Sequence, residues 1–528
     1  MAQRVSLGDL PEEWLWRKYC GFMELTVAEW QAIQDRLLEE QLELVAASPW
    51  RGRLEAAALE GVEAFRASAP LTVYEDYRGV FEARDAAALP VTPSAWAYTT
   101  GAGGQAKWAP YTARAVERLA DSALAAFIAA AAREVGEVRV RGGERVLYNV
   151  APPPYLAGLM ARALTERFGL RPVPPLEVGE RLEFHQRIEA GFREALCTGV
   201  DVVCSLSSVL VRMGEYFLER TRAAGRGPRW HPAALGRVAW GRLVSGLHRR
   251  PLLPRDLWRA RAILGWGLDT SVYRQQIATY WGREPYEFYA CTEAGVTALQ
   301  ALDGEGLVPL PYTAFLEFLP EEEGQRATLQ PGYRPETLLL AEGAPGQRYE
   351  LVRTSLYGMP FQRYRTGHLL RVVRGAEGGR VPRLVQVGRS DSIVDLAGFT
   401  RLDEKTLWEA VARTGGGYAE WAARKEFDGG KPVLHLYLEG AGQADPTEVA
   451  EQLHQSLTEL DPSYRDLATM LKLRPVRVSL LAPGSLRTYY HQQANGRGWL
   501  PRINPPPASL EALLAISLQL QGRERAPV

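Results

Sequence analysis

The feature that constrains the fold most is an alternation of strand-like and helix-like segments between about residues 94 and 290. Strand-like runs occupy residues 94–100, 107–111, 145–150, 200–205, 263–266 and 286–290, and helical patterns occupy residues 112–135, 155–168 and 208–220. Such alternation is typical of a sheet with helices packed on its faces. It predicts the α/β class, with a large N-terminal domain of mixed sheets and helices.

The residues before and after this alternating region show different patterns of apolar residues. Residues 1–70 carry apolar positions at helical spacing, and after residue 299 the pattern becomes one of strands and hairpins. Predicted strands there are 314–319, 337–340, 349–354, 369–373 and 384–387, with a hairpin turn at 375–379. After Gly388 the chain predicts helices at 402–412 and 446–460 and strands at 433–438 and 476–481. We therefore predict two domains, residues 1–388 and a small, mobile α+β domain of residues 389–528.

The balance of charge and the short apolar runs argue against a nucleic-acid or membrane partner. The 528 residues contain 62 basic and 62 acidic side chains, so the chain lacks the basic field that binds nucleic acid or an anionic membrane. The N-terminus carries acidic residues rather than a signal peptide, and the apolar run at 123–132 is too short to span a bilayer. Four scattered cysteines fit a reducing compartment. We expect a soluble cytoplasmic protein without a nucleic-acid or membrane partner.

The first motif that carries chemistry is YTTGAGGQAK, residues 98–107. Glycines let backbone N–H groups approach phosphate oxygens, Thr99 and Thr100 offer hydroxyl groups, and Lys107 supplies a positive charge. The loop is not a Walker A motif, because no Ser or Thr follows the lysine and no helix begins there. Taken alone, it fits a glycine-rich hairpin as well as a phosphate loop.

The second motif is YACTEAG, residues 289–295, at the end of an apolar strand. The Glu293 carboxylate suits magnesium, Thr292 suits a phosphate, and Tyr289 suits stacking on a base. In isolation the same residues also fit a helix N-terminus with an acidic first turn.

Two further motifs follow, YRTGHLLRV at residues 364–372 and VGRSDSIVDLAGF at residues 387–399, each of which alone reads as a turn between strands. Together, in this order, the four motifs resemble those of the acyl-adenylate-forming superfamily of acyl-CoA synthetases, adenylation domains and luciferases. Within it the chain is most similar to the auxin- and jasmonate-conjugating acyl amido synthetases, the auxin-responsive promoter family. The resemblance covers roughly residues 70–410.

The resemblance implies a binding site for ATP and Mg²⁺. The residues around the phosphates would be Thr99, Thr100, Gly101, Gly103, Gly104 and Lys107. Tyr289 would pack on adenine, Thr292 would contact the α-phosphate, and Glu293 would bind the metal. The ribose motif would include Tyr364 and His368, with Arg389 reaching the ribose, and residues 390–391 would form the hinge of the C-terminal domain.

The activity that this resemblance implies is that of an amide-forming ligase. A carboxylic acid is activated by ATP as acyl-AMP and then transferred to an amine or amino acid. The partners are thus a small carboxylate and its acceptor, with a carrier protein as a further candidate. No side-chain nucleophile is needed, so the chemistry does not require a Ser-His-Asp set.

The chain departs from the family pattern in three places. Ala102 replaces a hydroxyl residue, and His368 stands where the ribose-binding aspartate is expected, so one imidazole nitrogen replaces a carboxylate acceptor. No lysine follows Lys472, although such enzymes present one to the α-phosphate. Arg401, just after the hinge, and Arg502, with Arg497 in GRGWLPRINPPP, are the candidate catalytic replacements.

These departures leave three function classes open. The first is an active ATP-dependent carboxylate ligase, which the retention of Lys107 and Glu293 favours. The second is a relative that transfers an already activated acyl group to a thiol or carrier. The third is a non-catalytic relative that kept the fold. The altered His368 and the absent C-terminal lysine favour the second and third classes.

Overall fold

The structure is a computed structural model. It describes residues 4–100, 106–148, 150–223, 232–267, 270–330, 332–389, 393–396, 400–418, 420–428, 431–440, 444–470, 474–492 and 500–524. Gly101, Gly103, Gly104 and the hinge at residues 390–391 therefore lie outside the described residues.

The N-terminal region is helical, as predicted. Its helices are α1 (Glu12–Tyr19), α2 (Val27–Ala46), α3 (Val62–Ser68) and α4 (Glu75–Ala83), and short 3-10 turns lie at Leu7–Asp9, Gly21–Glu24, Pro49–Arg53, Ala56–Leu59 and Ala86–Ala88. The Thr26 hydroxyl accepts a hydrogen bond from the Glu29 N–H (3.2 Å), and the Glu29 carboxylate accepts one from the Thr26 N–H (2.8 Å). This capping box fixes where α2 begins.

The predicted phosphate loop is flanked by the strands of a two-stranded sheet, β1 (Ala95–Thr100) and β2 (Ala106–Tyr111). The following helix is α5 (Ala113–Ala131), and Thr112 caps it by accepting a hydrogen bond from the Ala115 N–H at 3.2 Å. The two strands and the helix occur in the predicted order.

The centre of the larger part of the chain is a mixed sheet. Its strands are β3 (Arg145–Tyr148), β4 (Arg171–Val173), β5 (Val202–Leu206), β6 (Ala262–Trp266), β7 (Tyr286–Cys291), β8 (Gly295–Gln300), β9 (Leu307–Pro309), β10 (Ala314–Pro320), β11 (Arg348–Ser355), β12 (Tyr364–Arg374) and β13 (Arg383–Arg389). Their order is β10-β11-β12-β13-β9-β8-β7-β6-β5-β3-β4.

One half of this sheet is parallel and the other contains antiparallel pairs. β4, β3, β5, β6 and β7 pair in parallel, whereas β7–β8, β8–β9, β9–β13 and β10–β11 are antiparallel. β7 is thus the strand at which the sheet changes direction. Between the parallel strands lie α6 (Leu156–Phe168), α7 (Leu176–Gly179), α8 (Phe184–Thr198), α9 (Ser207–Ala223), α10 (Pro232–Leu247), α11 (Pro254–Leu257) and α12 (Thr270–Trp281).

The antiparallel half confirms most of the predicted strands. α13 (Glu321–Leu329) follows β10, and 3-10 turns lie at Leu340–Glu342 and Glu377–Gly379, the second within the predicted hairpin turn. The predicted strand at 337–340 is wrong. Leu338 makes an isolated bridge to Phe318, and the chain then enters the 3-10 turn, which ends the pairing after one residue.

The C-terminal residues form a smaller α+β unit. Its strands are β14 (Ile393–Leu396), β15 (Thr400–Asp403), β16 (Glu420–Asp428), β17 (Lys431–Glu439) and β18 (Val476–Leu481). Its helices are α14 (Glu404–Arg413), α15 (Pro446–Leu460), α16 (Pro462–Met470), α17 (Ser485–Gln492) and α18 (Pro507–Glu524). β16 and β17 pair antiparallel, and β17 and β18 pair in parallel.

The chain divides into two compact units. The larger comprises residues 1–99, 108–366 and 370–386, and the smaller comprises 387–528 together with Thr100–Lys107 and Gly367–Leu369. Lys107 and His368 therefore group with the C-terminal residues, whereas Tyr289 and Glu293 belong to the larger unit. None of the described helices combines the length and the apolar character needed to cross a bilayer.

Candidate active site

The candidate site in the larger unit is built on the turn that follows β7. Thr292 and Glu293 lie in this turn, which leads directly into β8. The motif YACTEAG is therefore a strand–turn–strand element, and the alternative of a helix N-terminus is wrong because β8 begins at Gly295. In open sheets, ligands bind outside the carboxyl ends of parallel strands, and β7 is the last parallel strand. The turn carrying Glu293 occupies that position.

Gly295 closes this turn for a steric reason. Its φ is +74°, in the left-handed region that side chains rarely adopt, and a Cβ at this position would lie 2.7 Å from the Leu119 Cδ1 atom on α5. A larger residue would have to adopt a strained backbone conformation and push the Leu119 side chain aside. The glycine therefore belongs to the geometry that places Glu293.

Two buried hydroxyl groups, on strands that do not pair with β7 or β8, hold the turn. The Tyr111 hydroxyl on β2 donates to the Thr292 carbonyl at 2.8 Å, and the Ser355 hydroxyl on β11 donates to the Glu293 carbonyl at 3.1 Å. Tyr111 and Ser355 are each 1% exposed. The backbone of the motif is fixed on both sides, so its side chains are presented from a rigid support.

The charge next to this turn comes from Arg353, at the centre of β11. Arg353 is 0% exposed, and its Nη1 atom contacts the Cys291 Sγ atom. Burial by itself would lower the pKa of the guanidinium, but the neighbouring Cys291, Tyr289 and Glu293 outweigh burial and hold that pKa above its usual range. Arg353 therefore stays cationic beneath the motif.

Arg353 also has donors that no partner uses. Its Nε and Nη2 atoms are buried and make no hydrogen bond within the part of the chain that the structure describes. Buried donors are rarely left in this state, because each unmade hydrogen bond costs about 1–3 kcal/mol. Sequence reasoning missed this residue, although a charged side chain in the middle of the strand ELVRTS was a usable signal.

Tyr74, the residue before α4, contacts the backbone of β2. Its hydroxyl accepts a hydrogen bond from the Trp108 N–H at 2.6 Å. Burial raises the pKa of Tyr74, and the charge of Glu293 is among the groups that add to the rise. Sequence reasoning missed Tyr74 as well, because no local motif surrounds it.

The remaining predicted residues of the larger unit and of β12 are placed as follows. Tyr289 is 3% exposed on β7. Tyr364 is 3% exposed, and its ring packs 4.9 Å from Phe361 and 6.2 Å from Tyr77, measured between ring centroids. His368 lies half-buried on the same strand. The predicted contacts of these three residues with ATP stay predictions.

Several predicted site residues lie at or near the ends of strands. Thr99 and Thr100 end β1, Lys107 lies half-buried on β2, and Arg389 ends β13. Arg401 lies on β15, opposite Asp395. The predicted roles of these residues stay predictions.

Arg502 has a structural use within the smaller unit. Its Nη1 and Nη2 atoms lie 3.4 Å from Glu404 Oε1 and 3.2 Å from Glu420 Oε2, and its guanidinium carbon is 4.6 Å from the Trp408 ring centroid. Its carbonyl accepts a hydrogen bond from the Ala423 N–H at 2.7 Å. A catalytic role for Arg502 would require the side chain to leave both carboxylates, and it stays a prediction.

The donors present fit magnesium that is bound together with a nucleotide. No cluster of three or more His, Cys, Asp or Glu side chains occurs among the described residues, so a metal bound by protein ligands alone has no support there. Mg²⁺ is usually held by one or two carboxylates together with substrate phosphates. Glu293 alone meets that requirement when phosphates supply the other ligands.

Comparison with known proteins finds a family match for strands β9–β13. Residues 307–389 match the model of the GH3 family central domain. A human GH3 domain-containing protein is 31% identical over 204 residues, which is 36% of this chain and 36% of that relative. The matched residues contain β9–β13, and hence Arg353, Tyr364 and His368.

Solved structures show how far the fold extends beyond the GH3 central domain. The chain is similar to the AtGH3.15 acyl acid amido synthetase in complex with 2,4-DB, with TM-score 0.69, 17% identity and coverage of 98% of this chain and 97% of that one. A 2-hydroxyisobutyryl-CoA ligase in the postadenylation state matches with TM-score 0.61, 14% identity and 98% coverage of both chains. The resemblance that the motifs indicated and the α/β fold class are confirmed.

Proposed function

We propose that this protein activates a carboxylic acid with ATP as acyl-AMP and transfers the acyl group to an amine. The proposal rests on the turn carrying Glu293, which lies after the last parallel strand of an adenylate-forming fold and is fixed by Tyr111 and Ser355. The curated human relative is matched over only 36% of its length, so activity, substrate and partners remain proposals.

The proposed reaction has two steps. In the first, a carboxylate oxygen bonds to the α-phosphorus of ATP, the bond between that phosphorus and the bridging oxygen breaks, and pyrophosphate leaves. In the second, an amine nitrogen bonds to the acyl carbon, the C–O bond to AMP breaks, and the nitrogen loses a proton. Neither step forms a covalent bond to the protein, which agrees with burial of Cys20, Cys204 and Cys291.

The chain's residues contribute by binding and by placing charge. Glu293 would hold Mg²⁺, which, when bound, neutralises charge on the phosphates. Lys107 would add a positive charge at the phosphates, with Thr99 and Thr100 as hydroxyl donors. Arg389 and His368 would bind the ribose, and Arg401 or Arg502 would serve the α-phosphate.

The partners and location follow from the same proposal. We propose a small carboxylate and an amine or amino-acid acceptor, a cytoplasmic location, and a carrier protein as an alternative acceptor. We also propose a domain boundary at 388/389, with rotation of the smaller domain about residues 390–391 between the two steps. Solution scattering with and without a nucleotide tests the rotation, and one invariant profile contradicts it.

A second candidate function is binding without adenylation. Arg502 forms ion pairs with Glu404 and Glu420. His368 stands where the ribose-binding acid is expected, so neither residue offers ATP the contact that the resemblance implies. Under this alternative the protein binds an acyl compound but catalyses no pyrophosphate exchange.

Pyrophosphate exchange distinguishes the two candidates. With ATP, Mg²⁺ and a panel of aromatic, aliphatic and amino acids, at least one acid should support exchange. Lys107→Ala should lower the rate by a factor of at least 100, and Lys18→Ala, an exposed lysine on α1, serves as its control. If no acid supports exchange while acids still bind, the ligase proposal is rejected in favour of the binding protein.

A further inference from the structure

The feature that the proposed function does not use is a line of hydrogen bonds across the three-stranded sheet of the smaller unit. His435, on β17, has its Nδ1 atom 2.9 Å from Glu426 Oε2 on β16 and its Nε2 atom 2.9 Å from Ser479 Oγ on β18. The Tyr437 hydroxyl donates to Glu426 Oε1 at 2.7 Å. A carboxylate, an imidazole and a hydroxyl group are thus joined in series.

Strand register brings these three residues together. β16 and β17 pair antiparallel with Arg424 opposite His435, and β17 and β18 pair in parallel with Tyr437 beside Ser479. Because alternate residues of a strand share a face, Glu426, His435 and Ser479 lie on the same face of the sheet. Ser479 is 44 residues from His435 along the chain, so no local sequence motif indicates the set.

The set lies at the border of the apolar cover of this face. Tyr437 and Leu481, the next residues on the face, pack in an apolar cluster with residues of α17 and α18. His435 is 8% exposed, whereas Ser479 and Glu426 are half-buried. The imidazole is therefore shielded from water, while the serine hydroxyl belongs to a residue that solvent still reaches.

The charges around His435 fix which ring nitrogen carries the proton. Burial by itself would raise the pKa of Glu426, but hydrogen bonds from His435 and Tyr437 and the charge of Arg477 outweigh burial and lower it. Glu426 is then a carboxylate, which only accepts, so Nδ1 carries the proton and Nε2 accepts from the Ser479 hydroxyl. Burial also lowers the pKa of His435, which keeps the ring neutral at neutral pH.

A second half-buried histidine of the smaller unit lacks this arrangement. His454, on α15, has its Nδ1 atom 2.8 Å from the Tyr464 hydroxyl, and among the described residues no carboxylate is hydrogen-bonded to its ring. Burial lowers the pKa of His454 as well. The distinguishing property of His435 is therefore its geometry, with an acid on one ring nitrogen and a serine on the other.

We propose that Ser479, His435 and Glu426 form a second catalytic site, which hydrolyses carboxylic esters. Ser479 is the nucleophile, His435 is the general base, and Glu426 orients the imidazole. An activated serine requires a base within hydrogen-bond reach and a third group that orients the base, and this line of residues supplies both. The reaction needs neither ATP nor Mg²⁺, so it is independent of the proposed ligase function.

The proposed reaction has two steps. In the first, Ser479 Oγ bonds to the ester carbonyl carbon, its proton passes to His435 Nε2, the bond from that carbon to the alcohol oxygen breaks, and the alcohol leaves with the proton. In the second, a water molecule gives a proton to His435 Nε2 and bonds to the acyl carbon. The bond to Ser479 then breaks, Oγ regains the proton, and the carboxylic acid leaves.

A fluorophosphonate probe tests the nucleophile. It bonds through phosphorus to an activated serine oxygen and releases fluoride. The full-length chain is treated without ATP, and mass spectrometry of its peptides should place an adduct on Ser479 that Ser479→Ala lacks. His435→Gln should slow labelling of Ser479 at least about 100-fold, because the general base is lost. His454→Gln is the matched control and should be labelled at the wild-type rate.

Hydrolysis of p-nitrophenyl acetate without ATP tests turnover. The wild-type protein should release p-nitrophenol continuously, and Ser479→Ala should remove this activity. Glu426→Gln keeps the size of the side chain but removes the charge that stabilises the imidazolium ion, so the rate should fall at least about tenfold. His454→Gln again serves as the control.

The results separate a catalytic set from a structural hydrogen-bond network. A wild-type protein without an adduct on Ser479, or equal labelling rates for wild type and His435→Gln, overturns the proposal. Labelling of Ser479 without ester turnover overturns the hydrolytic activity. Should circular dichroism show that His435→Gln is unfolded, Glu426→Gln, at a half-buried position, replaces it in the comparison of labelling rates.

Discussion

Two buried arginines within residues 307–389, the range that matches the GH3 family central domain, show how the same side chain serves a scaffold and a site. Arg363, 5% exposed, donates from Nε and Nη2 to Glu317 at 3.1 and 2.9 Å and from Nη1 to the Ala69 carbonyl at 2.7 Å. Glu317 is 0% exposed and also accepts from the Thr337 hydroxyl at 2.6 Å. Arg353 has a thiol contact, and two of its nitrogen atoms have no partner among the described residues.

The difference between Arg363 and Arg353 lies in how completely each buried guanidinium is hydrogen-bonded. A buried ion pair with complete hydrogen bonding fixes one arrangement, and removing one partner leaves the other charge uncompensated. An incompletely bonded cation fixes less, but it remains available to a group that moves or binds. We therefore assign the Glu317–Arg363 pair to the scaffold and Arg353 to the site.

The largest expected effect is on the scaffold pair. Arg363→Met should lower the free energy of unfolding by about 3–5 kcal/mol, because it removes the cation that hydrogen-bonds the buried Glu317 carboxylate and leaves only Arg66, whose Nε atom lies 3.6 Å from Glu317 Oε1. Urea denaturation followed by circular dichroism measures the loss. Arg36→Met, which breaks an exposed pair with Glu40, is the control and should change stability by no more than about 0.5 kcal/mol. A loss for Arg363→Met as small as that of the control removes the distinction between scaffold and site.

A second test follows β12, which begins directly after Arg363 and carries His368. If the imidazole accepts a ribose hydroxyl, His368→Asp should strengthen ATP binding by about 1.5–3 kcal/mol, because a charged acceptor replaces a neutral one. Protonation removes the acceptor nitrogen, so wild-type affinity should weaken as pH falls, and the aspartate variant should show a flatter profile. Calorimetric titration of ATP against the wild-type protein and His368→Asp at two pH values tests this prediction. Equal affinities for both proteins would mean that the ribose site is not used.

A matched pair of hydroxyl deletions sharpens the comparison further. Tyr111→Phe removes the bond to the Thr292 carbonyl, and Tyr77→Phe removes the acceptor of the Gln362 N–H at 3.0 Å, beside the scaffold pair. Each should cost about 1–3 kcal/mol of unfolding free energy, because each leaves a buried backbone group unpaired. Only Tyr111→Phe should also weaken magnesium–ATP binding. Weakened binding in both variants would show that the two regions are not separable.

The smallest effect is expected for Ser355→Ala. The lost hydrogen bond to the Glu293 carbonyl should cost about 0.5–1.5 kcal/mol of unfolding free energy, with a small rise in the Mg²⁺ requirement of ATP binding. Ser122→Ala, whose hydroxyl donates to the Leu119 carbonyl within α5, is the control for the stability change alone. A rise in Mg²⁺ requirement for the control would point to a general loosening rather than to the turn.

The sequence predicted much of this molecule because its signals are local. Hydrophobic periodicity and turn residues placed the strands around Tyr289 and the capped helix after Thr112, and the order of four short motifs indicated the fold family. The strand predicted at 337–340 was wrong because an apolar run of that length is equally compatible with a bridge and a 3-10 turn. The helix alternative for YACTEAG was wrong because the pairing of β7 with β8 is a tertiary contact.

The residues around Glu293 also divide into those that the sequence indicated and those that only the tertiary structure brought together. The sequence alone determined that a carboxylate follows an apolar strand, that a lysine ends a glycine loop, and that a histidine replaces an expected acid. Only the tertiary structure placed Tyr111, Ser355 and Arg353 beside the turn, because they arrive from strands that are 62 or more residues away from Glu293 or its neighbours along the chain. A buried charge in a strand shows in the sequence, but whether it is saturated like Arg363 or left with unused donors like Arg353 depends on the atoms packed against it.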